Sequence, residues 1–375
     1  MLTKFILHPL IVCLLILLAA CNGPMSTVAP VEQTPTVAHR EAAAATPTAD
    51  IFEQSVHLFD YDAGSPVLLS ETSVQQETGF TVHDINYPSP KTGNVPAYLV
   101  VPEGPDPFAG IILMHGSSGS RETMLPLAKD LVHTGAVILT LSAPSARIPG
   151  RDWITFTPLD REEQIQLMVD LRRGVDLLLE QEKVDPARIG YIGYSYGAAM
   201  GGLLAGIEPR INAYGLMVGD GGLVNHFTDE GRPVGGFETI EPAARERWLE
   251  AMESIEPIHY VGQASPSAIF FQNARHDMSV SEKDALAYQA AGSEPKKVEW
   301  YDSGHGLAPQ AYTDTVAWQS RSGLRQPGSD NPIDSAAKRY FQGGMQASRN
   351  LYKIHNYSFP LRVGRPHLRW GFNLR

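Results

Sequence analysis

The stretch RIGYIGYSYGAAMGG, residues 188–202, sets Ser195 between two glycines, after a short apolar run and ahead of a series of small residues. Bulkier side chains would bury more surface there, so the small ones need a reason. A strand ending beside Ser195, followed by a helix beginning near Tyr196, supplies one. Gly193 and Gly197 permit a sharp, strained strand-to-helix turn, because a Cβ at either place would crowd the neighbouring element. Ala198, Ala199, Gly201 and Gly202 let the helix press close to a sheet. The pattern exposes one hydroxyl at the end of a strand.

The surrounding text fits such a sheet. GFTVHDINYPSP and NVPAYLVVPEG read as an opening antiparallel pair, and FAGIILMHG, GAVILTLSAP, RIGYIGYS, INAYGLMVGD, SPSAIFFQNARHD and KKVEWYDSGHG follow. The first few of these six are nearly unbroken apolar runs, as expected for strands covered on both faces. Helical segments lie between them, the clearest being REEQIQLMVDLRRGVDLLLEQEK, with Ile165, Met168, Leu171, Val175, Leu178 and Leu179 on one side. The alternation predicts an α/β protein with a mostly parallel central sheet and helices on both faces. Chemistry is then expected where strands end and loops begin.

A serine hydroxyl is a poor nucleophile until a base takes its proton. His305, in YDSGHGL, follows the last strand and is flanked by Gly304 and Gly306, which leave its ring free to approach Ser195; His276 is its rival. The imidazole in turn needs a carboxylate to fix its tautomer. Asp277, in FFQNARHDMSV, comes after an apolar strand and before a helix, whereas Asp220 and Asp302 are the alternative acids. The order Ser195, Asp277, His305 is the nucleophile, acid, base order of α/β hydrolases. Donors for a developing oxyanion are expected from the Tyr196 amide and from the Ser117 amide in LMHGSSGS, with Ser118 next in line. His115 reads as a structural residue of that turn, since no H-E-x-x-H or spaced Cys/His set accompanies it.

On these residues, and over about residues 78–318, the chain resembles the dienelactone hydrolase-like branch of the α/β-hydrolase superfamily. ILMHGSSGS, DLRRGVDLLLEQEKVDPARIGYIGYSYGAAMGGLLAG, FFQNARHDMSV and YDSGHG carry the resemblance. It implies ester or lactone hydrolysis with no metal and no organic cofactor, with Ser195 as nucleophile, His305 as base and Asp277 as orienting acid. The name-giving dienelactone hydrolases use cysteine where this chain has Ser195, so the serine carboxylesterases of the branch are the nearer analogy. Thioesterase or peptidase activity on the same fold, and a non-catalytic surface binding protein, are the alternatives. Tyr194 and Ser118 beside the site and Trp153 in the loop SAPSARIPGRDWITFTPLDRE are the candidates for substrate contact, with core or loop packing the favoured part for Trp153 and Trp248. The segment 221–264 is placed to form a partial lid, with a helix around Trp248.

The ends of the chain differ from this body. Residues 1–20 show an early lysine, an apolar run from Phe5 to Ala20 and small residues, the layout of a secretory signal. LAAC, ending at Cys21, resembles the lipobox of bacterial lipoproteins, which implies lipidation of that cysteine, export, and attachment to a cell-envelope membrane. Ala, Thr and Pro supply 16 of the 29 residues from 22 to 50, so 21–55 is expected to be the lipidated cysteine and a disordered tether. The catalytic body is expected over 56–318. Residues 319–375 carry ten Lys/Arg against two Asp/Glu, leaving twenty against thirty-nine, a net −19, for the rest of the 375-residue chain. That acidic body argues against nucleic acid as a partner and leaves a small-molecule or polymeric ester as the expected one.

Overall fold

The apolar runs pair side by side in one sheet of nine strands, taking the residues described in the computed structural model, which are 48–105, 107–229 and 236–324. The strands are β1 (Ser70–Glu77), β2 (Phe80–Pro88), β3 (Asn94–Pro102), β4 (Phe108–Met114), β5 (Ala136–Leu141), β6 (Val184–Tyr194), β7 (Ala213–Met217), β8 (Ala268–Ala274) and β9 (Lys296–Tyr301). Their order across the sheet is β1-β2-β3-β5-β4-β6-β7-β8-β9. The first three run antiparallel to their neighbours, and from β5 to β9 every pairing is parallel. All the described residues fall within one compact unit.

Among the described residues, eight helices accompany the strands: α1 (Thr48–Ser55), α2 (Arg121–Leu131), α3 (Leu159–Leu179), α4 (Tyr196–Ile207), α5 (Leu223–Thr228), α6 (Pro242–Glu253), α7 (Glu282–Ala291) and α8 (Pro309–Arg321). They divide between the two faces of the sheet. Along β5, Val137, Leu139 and Leu141 join one core cluster with α3, α4 and α6 residues. Ala136 and Ile138 join the other with α2 and α8 residues. This period of two, apolar on both sides, is why the central strands read as unbroken hydrophobic runs. Each fully buried Ile or Leu there contributes on the order of 1.5–3 kcal/mol.

Two boundaries move relative to the sequence reading. The stretch expected to end a disordered tether at residue 55 is helical from Thr48, and Phe52 packs edge-on against Tyr260 at 5.6 Å, so the folded body starts earlier than 56. At the other end α8 runs to Arg321 and Leu324 is buried, past the expected limit at 318. The expected signal, Cys21 and the basic tail beyond residue 324 lie outside the described residues. Strand β1 was not expected at all: its sequence SETSVQQE is exposed almost throughout and is held by pairing with β2.

The turn at Ser195 takes the form its glycines require. A Cβ on Gly193 would lie 2.2 Å from the Gly197 carbonyl oxygen, and one on Gly197 would lie 2.6 Å from the Met114 carbonyl oxygen. Both obstacles are backbone and cannot swing aside. Gly197→Ala is therefore expected to cost more than about 4 kcal/mol, seen as a loss of soluble protein or a collapse of the urea midpoint; a midpoint near that of the parent would contradict this packing.

Candidate active site

Ser195 sits between β6 and α4 with φ 54° and ψ −116°, a left-handed conformation that a side chain seldom adopts. Strain of this kind costs on the order of 1–3 kcal/mol and persists only where the surroundings hold it. Here the Ser195 amide donates to Met217 O of β7 at 2.8 Å, and Ala198 and Ala199 amides donate back to Ser195 O. The hydroxyl is thus held at the carboxyl end of the sheet.

His305 and Asp277 meet it there, from loops 110 and 82 residues away in the chain. His305 Nε2 lies 2.8 Å from Ser195 Oγ. Its Nδ1 lies 2.9 Å from Asp277 Oδ2 and 3.0 Å from Oδ1. With Nδ1–H donating to the carboxylate, Nε2 is left to accept from the serine hydroxyl. The carboxylate is itself fixed, because Oδ1 accepts from the Ser279 amide at 2.7 Å and the Val280 amide at 2.9 Å. Burial alone pushes the Asp277 carboxyl up, but the hydrogen bond and charge of His305 with those two amides outweigh it and hold the group below its ordinary range.

The rival residues are turned elsewhere. His276 is 70% exposed and pairs with Asp302 at 2.7 Å, on the surface. Asp220, at the end of the loop after β7, is buried and receives His226 Nδ1 at 2.7 Å. The His226 pairing was not anticipated, and nothing in the sequence separates His226 from an ordinary loop histidine.

Tyr194, expected to touch substrate, has a structural part: its hydroxyl donates to His305 O at 2.9 Å and its ring lies 5.5 Å from the imidazole. It steadies the loop that carries His305. Trp153 packs edge-on against Tyr196 at 5.9 Å and stacks near Phe227 at 6.0 Å, so it walls one side of the site. Phe156, Phe237 and Trp248 continue that wall, and the Trp248 indole N–H donates to the buried Asp160 carboxylate at 2.8 Å. The described part of 221–264 contributes α5 and α6 to it.

The loop after β4 packs against Ser195, since a Cβ on Gly116 would come within 3.3 Å of Ser195 Cβ. Ser117 and Ser118 follow, with Ser118 at φ 58° and the Gly119 amide closing the turn onto Gly116 O at 3.1 Å. Tyr196 heads α4, where the first N–H groups of a helix have no partner within it. Of the two expected oxyanion donors, Tyr196 thus adjoins Ser195 and Ser117 follows Gly116, the glycine that packs on it. His115 locks this loop to the segment after β5: Nδ1–H donates to Gly116 O at 2.7 Å, and Nε2 accepts from the Ala143 amide at 3.0 Å. Among the described residues, no group of three or more His, Cys, Asp or Glu is placed to hold a metal ion.

Burial pushes the His115 imidazole down to about 4 from an ordinary 6.5. Between those values the unfolded chain binds a proton that the folded chain refuses, so stability rises with pH through that window. Acidifying from about 6.5 toward 4 is expected to remove roughly 3 kcal/mol through this residue. Urea unfolding at several pH values should show the slope, and His115→Asn should flatten it; an unchanged slope in the variant would assign the effect to other groups.

No protein-family model matches the chain. It is 26% identical over 170 residues to a protein of Methylorubrum extorquens described as a carboxymethylenebutenolidase, a match spanning 42% of this chain and 57% of that relative's length. Among solved structures, it is similar to the acetyl xylan esterase from Paenibacillus sp. R4, with a TM-score of 0.60 at 18% identity over 75% of this chain and 96% of that one. An acetyl xylan esterase from a Thermoanaerobacterium species gives a TM-score of 0.60 at 14% identity, covering 74% and 94% of the two chains. The chain has the α/β-hydrolase fold, and its likeness to the dienelactone hydrolase-like branch extends to a sequence relative of that description.

Proposed function

We propose that the protein is a serine carboxylesterase that works through an acyl-enzyme. The hydrogen-bonded run from Asp277 through His305 to Ser195 Oγ carries this reading. His305 Nε2 takes the hydroxyl proton as Oγ attacks the ester carbonyl, and the Asp277 carboxylate stabilises the imidazolium that results. The carbonyl oxygen, now negative, is met by the Tyr196 and Ser117 amides, each such donor lowering the barrier by roughly 2.7–4 kcal/mol. His305 then protonates the departing alcohol. Water, deprotonated by the same nitrogen, attacks the acyl-serine and frees the acid. The esterase titles of the structural neighbours and the description of the sequence relative support ester chemistry.

The test is turnover of a p-nitrophenyl short-chain ester together with labelling of Ser195 by a fluorophosphonate. Absence of both would end the reading. The LAAC sequence further supports attachment to a bacterial envelope membrane through lipid on Cys21. No helix among the described residues is long and apolar enough to cross a membrane. Cys21→Ser is expected to shift the protein from the membrane pellet to the soluble fraction.

A further inference from the structure

Beside the nucleophile turn lies a small pocket that the hydrolytic steps above leave unused. Pro144, Ser145, Trp153, Glu163, Gln164 and Tyr196 help line it, and its free space, about 10 Å³, holds roughly one water or one hydroxyl group. Its chemistry is uneven. Gln164 is only 3% exposed, yet its Oε1 has no hydrogen-bond partner, an acceptor that a buried site seldom leaves idle. The carboxylates nearby are engaged: the Asp160 carboxylate receives Trp248 Nε1, the Thr155 amide and the Thr155 hydroxyl, and Glu163 Oε1 pairs with Arg151 at 3.1 Å. The Tyr196 side chain completes the polar side, while Trp153 and Pro144 provide an apolar one. The pocket therefore calls for a compact group that donates a hydrogen bond and carries little bulk behind it.

Its position relative to the reacting atoms gives that group a place in an ester. In the sheet, β5 and β4 lie on one side of β6, and β7, β8 and β9 lie on the other. Asp277 and His305 follow β8 and β9, so the leaving alcohol, which takes its proton from His305 Nε2, departs toward that side. The pocket is lined by Pro144 and Ser145, which follow β5, and by Leu223, which follows β7, but by neither Asp277 nor His305. With the leaving alcohol at His305, the acyl group on Oγ is the part of the ester left to meet this pocket. Tyr196, which follows Ser195 directly in the chain, lines the pocket and so sets it beside the nucleophile turn.

We propose that this pocket is the acyl-side subsite and takes the hydroxyl of a short hydroxyacyl group, which donates to Gln164 Oε1. The proposal rests on the serine esterase reading above and adds its substrate class. The hydroxyl gives Gln164 Oε1 a donor, whereas a plain alkyl chain leaves that buried acceptor unpaired. A longer unbranched acyl chain has no room here.

The test compares p-nitrophenyl 3-hydroxybutyrate with p-nitrophenyl butyrate on the full chain, reading the ratio of kcat/KM. The expected ratio favours the hydroxyacyl ester by about tenfold, the worth of one good buried hydrogen bond. Gln164→Leu, similar in volume, is expected to bring the ratio close to one. Should that variant fail to fold, Tyr196→Phe, which keeps the backbone amide, is expected to reduce the ratio severalfold, because the phenol borders the same hydroxyl. Turnover of both esters by the parent protein at a ratio near one would overturn the subsite and leave a pocket that holds only water. A preference that survives Gln164→Leu would overturn it as well. Loss of both turnovers with Ser195 unlabelled would instead sink the esterase reading, and the subsite with it.

Discussion

Ser195→Ala is expected to lower kcat on ester substrates by about 10⁶-fold, the scale on which removal of a serine nucleophile acts in hydrolases of this kind. In the proposed mechanism no acyl-enzyme forms without Oγ, and His305 is left with only a loosely placed water to activate. The residual rate comes from the amides around the carbonyl oxygen. The loss should be one of chemistry, not of folding. Alanine keeps the Cβ that packs against Gly116, meets the same backbone strain at φ 54°, and forfeits one hydrogen bond to a partly exposed histidine. Such a bond is worth about 1 kcal/mol. The thermal midpoint should accordingly stay within a few degrees of the parent, while fluorophosphonate labelling disappears. A variant that kept parental turnover would place the nucleophile elsewhere.

Much of this was open to reading from the chain because the relevant physics is local. Strands β4, β5 and β7 are buried on both faces from end to end, and a doubly covered strand has no polar side to interrupt its apolar run. The turn at Ser195 announces itself through glycines whose missing Cβ atoms are required by backbone contacts at 2.2 and 2.6 Å. Other features depend on partners that no local pattern names. Strand β1 has no buried face to imprint an alternation, and only the pairing with β2 makes it a strand. Helix α1 lies at the end of an Ala-, Thr- and Pro-rich segment whose composition speaks for disorder, and it is the contact of Phe52 with Tyr260 that ties it to the core. The role of Tyr194 in holding the His305 loop, and the His115 lock between two strand ends, are side-chain pairings across 111 and 28 residues.

The choice of acid is the case where sequence left the widest opening, and it yields the second large effect. Asp277→Asn is expected to lower kcat by about 10⁴-fold with little change in fold. Asp277 uses its two oxygens differently. Oδ1 accepts from the Ser279 and Val280 amides as well as facing His305, whereas Oδ2 faces His305 Nδ1. An asparagine keeps its single oxygen where the two amides demand an acceptor, which turns its NH₂ toward Nδ1. Nδ1 must then accept, the proton moves to Nε2, and the nitrogen facing Ser195 Oγ can no longer take the hydroxyl proton. The variant would hold the same geometry with the wrong tautomer. Asp220→Asn provides the contrast: that carboxylate is committed to His226, and its loss is expected to leave kcat within about tenfold of the parent. Steady-state kinetics on one p-nitrophenyl ester decides between them, for if Asp220→Asn is the variant that loses four decades while Asp277→Asn is nearly unimpaired, the acid that serves His305 during turnover is not the one that touches it at rest.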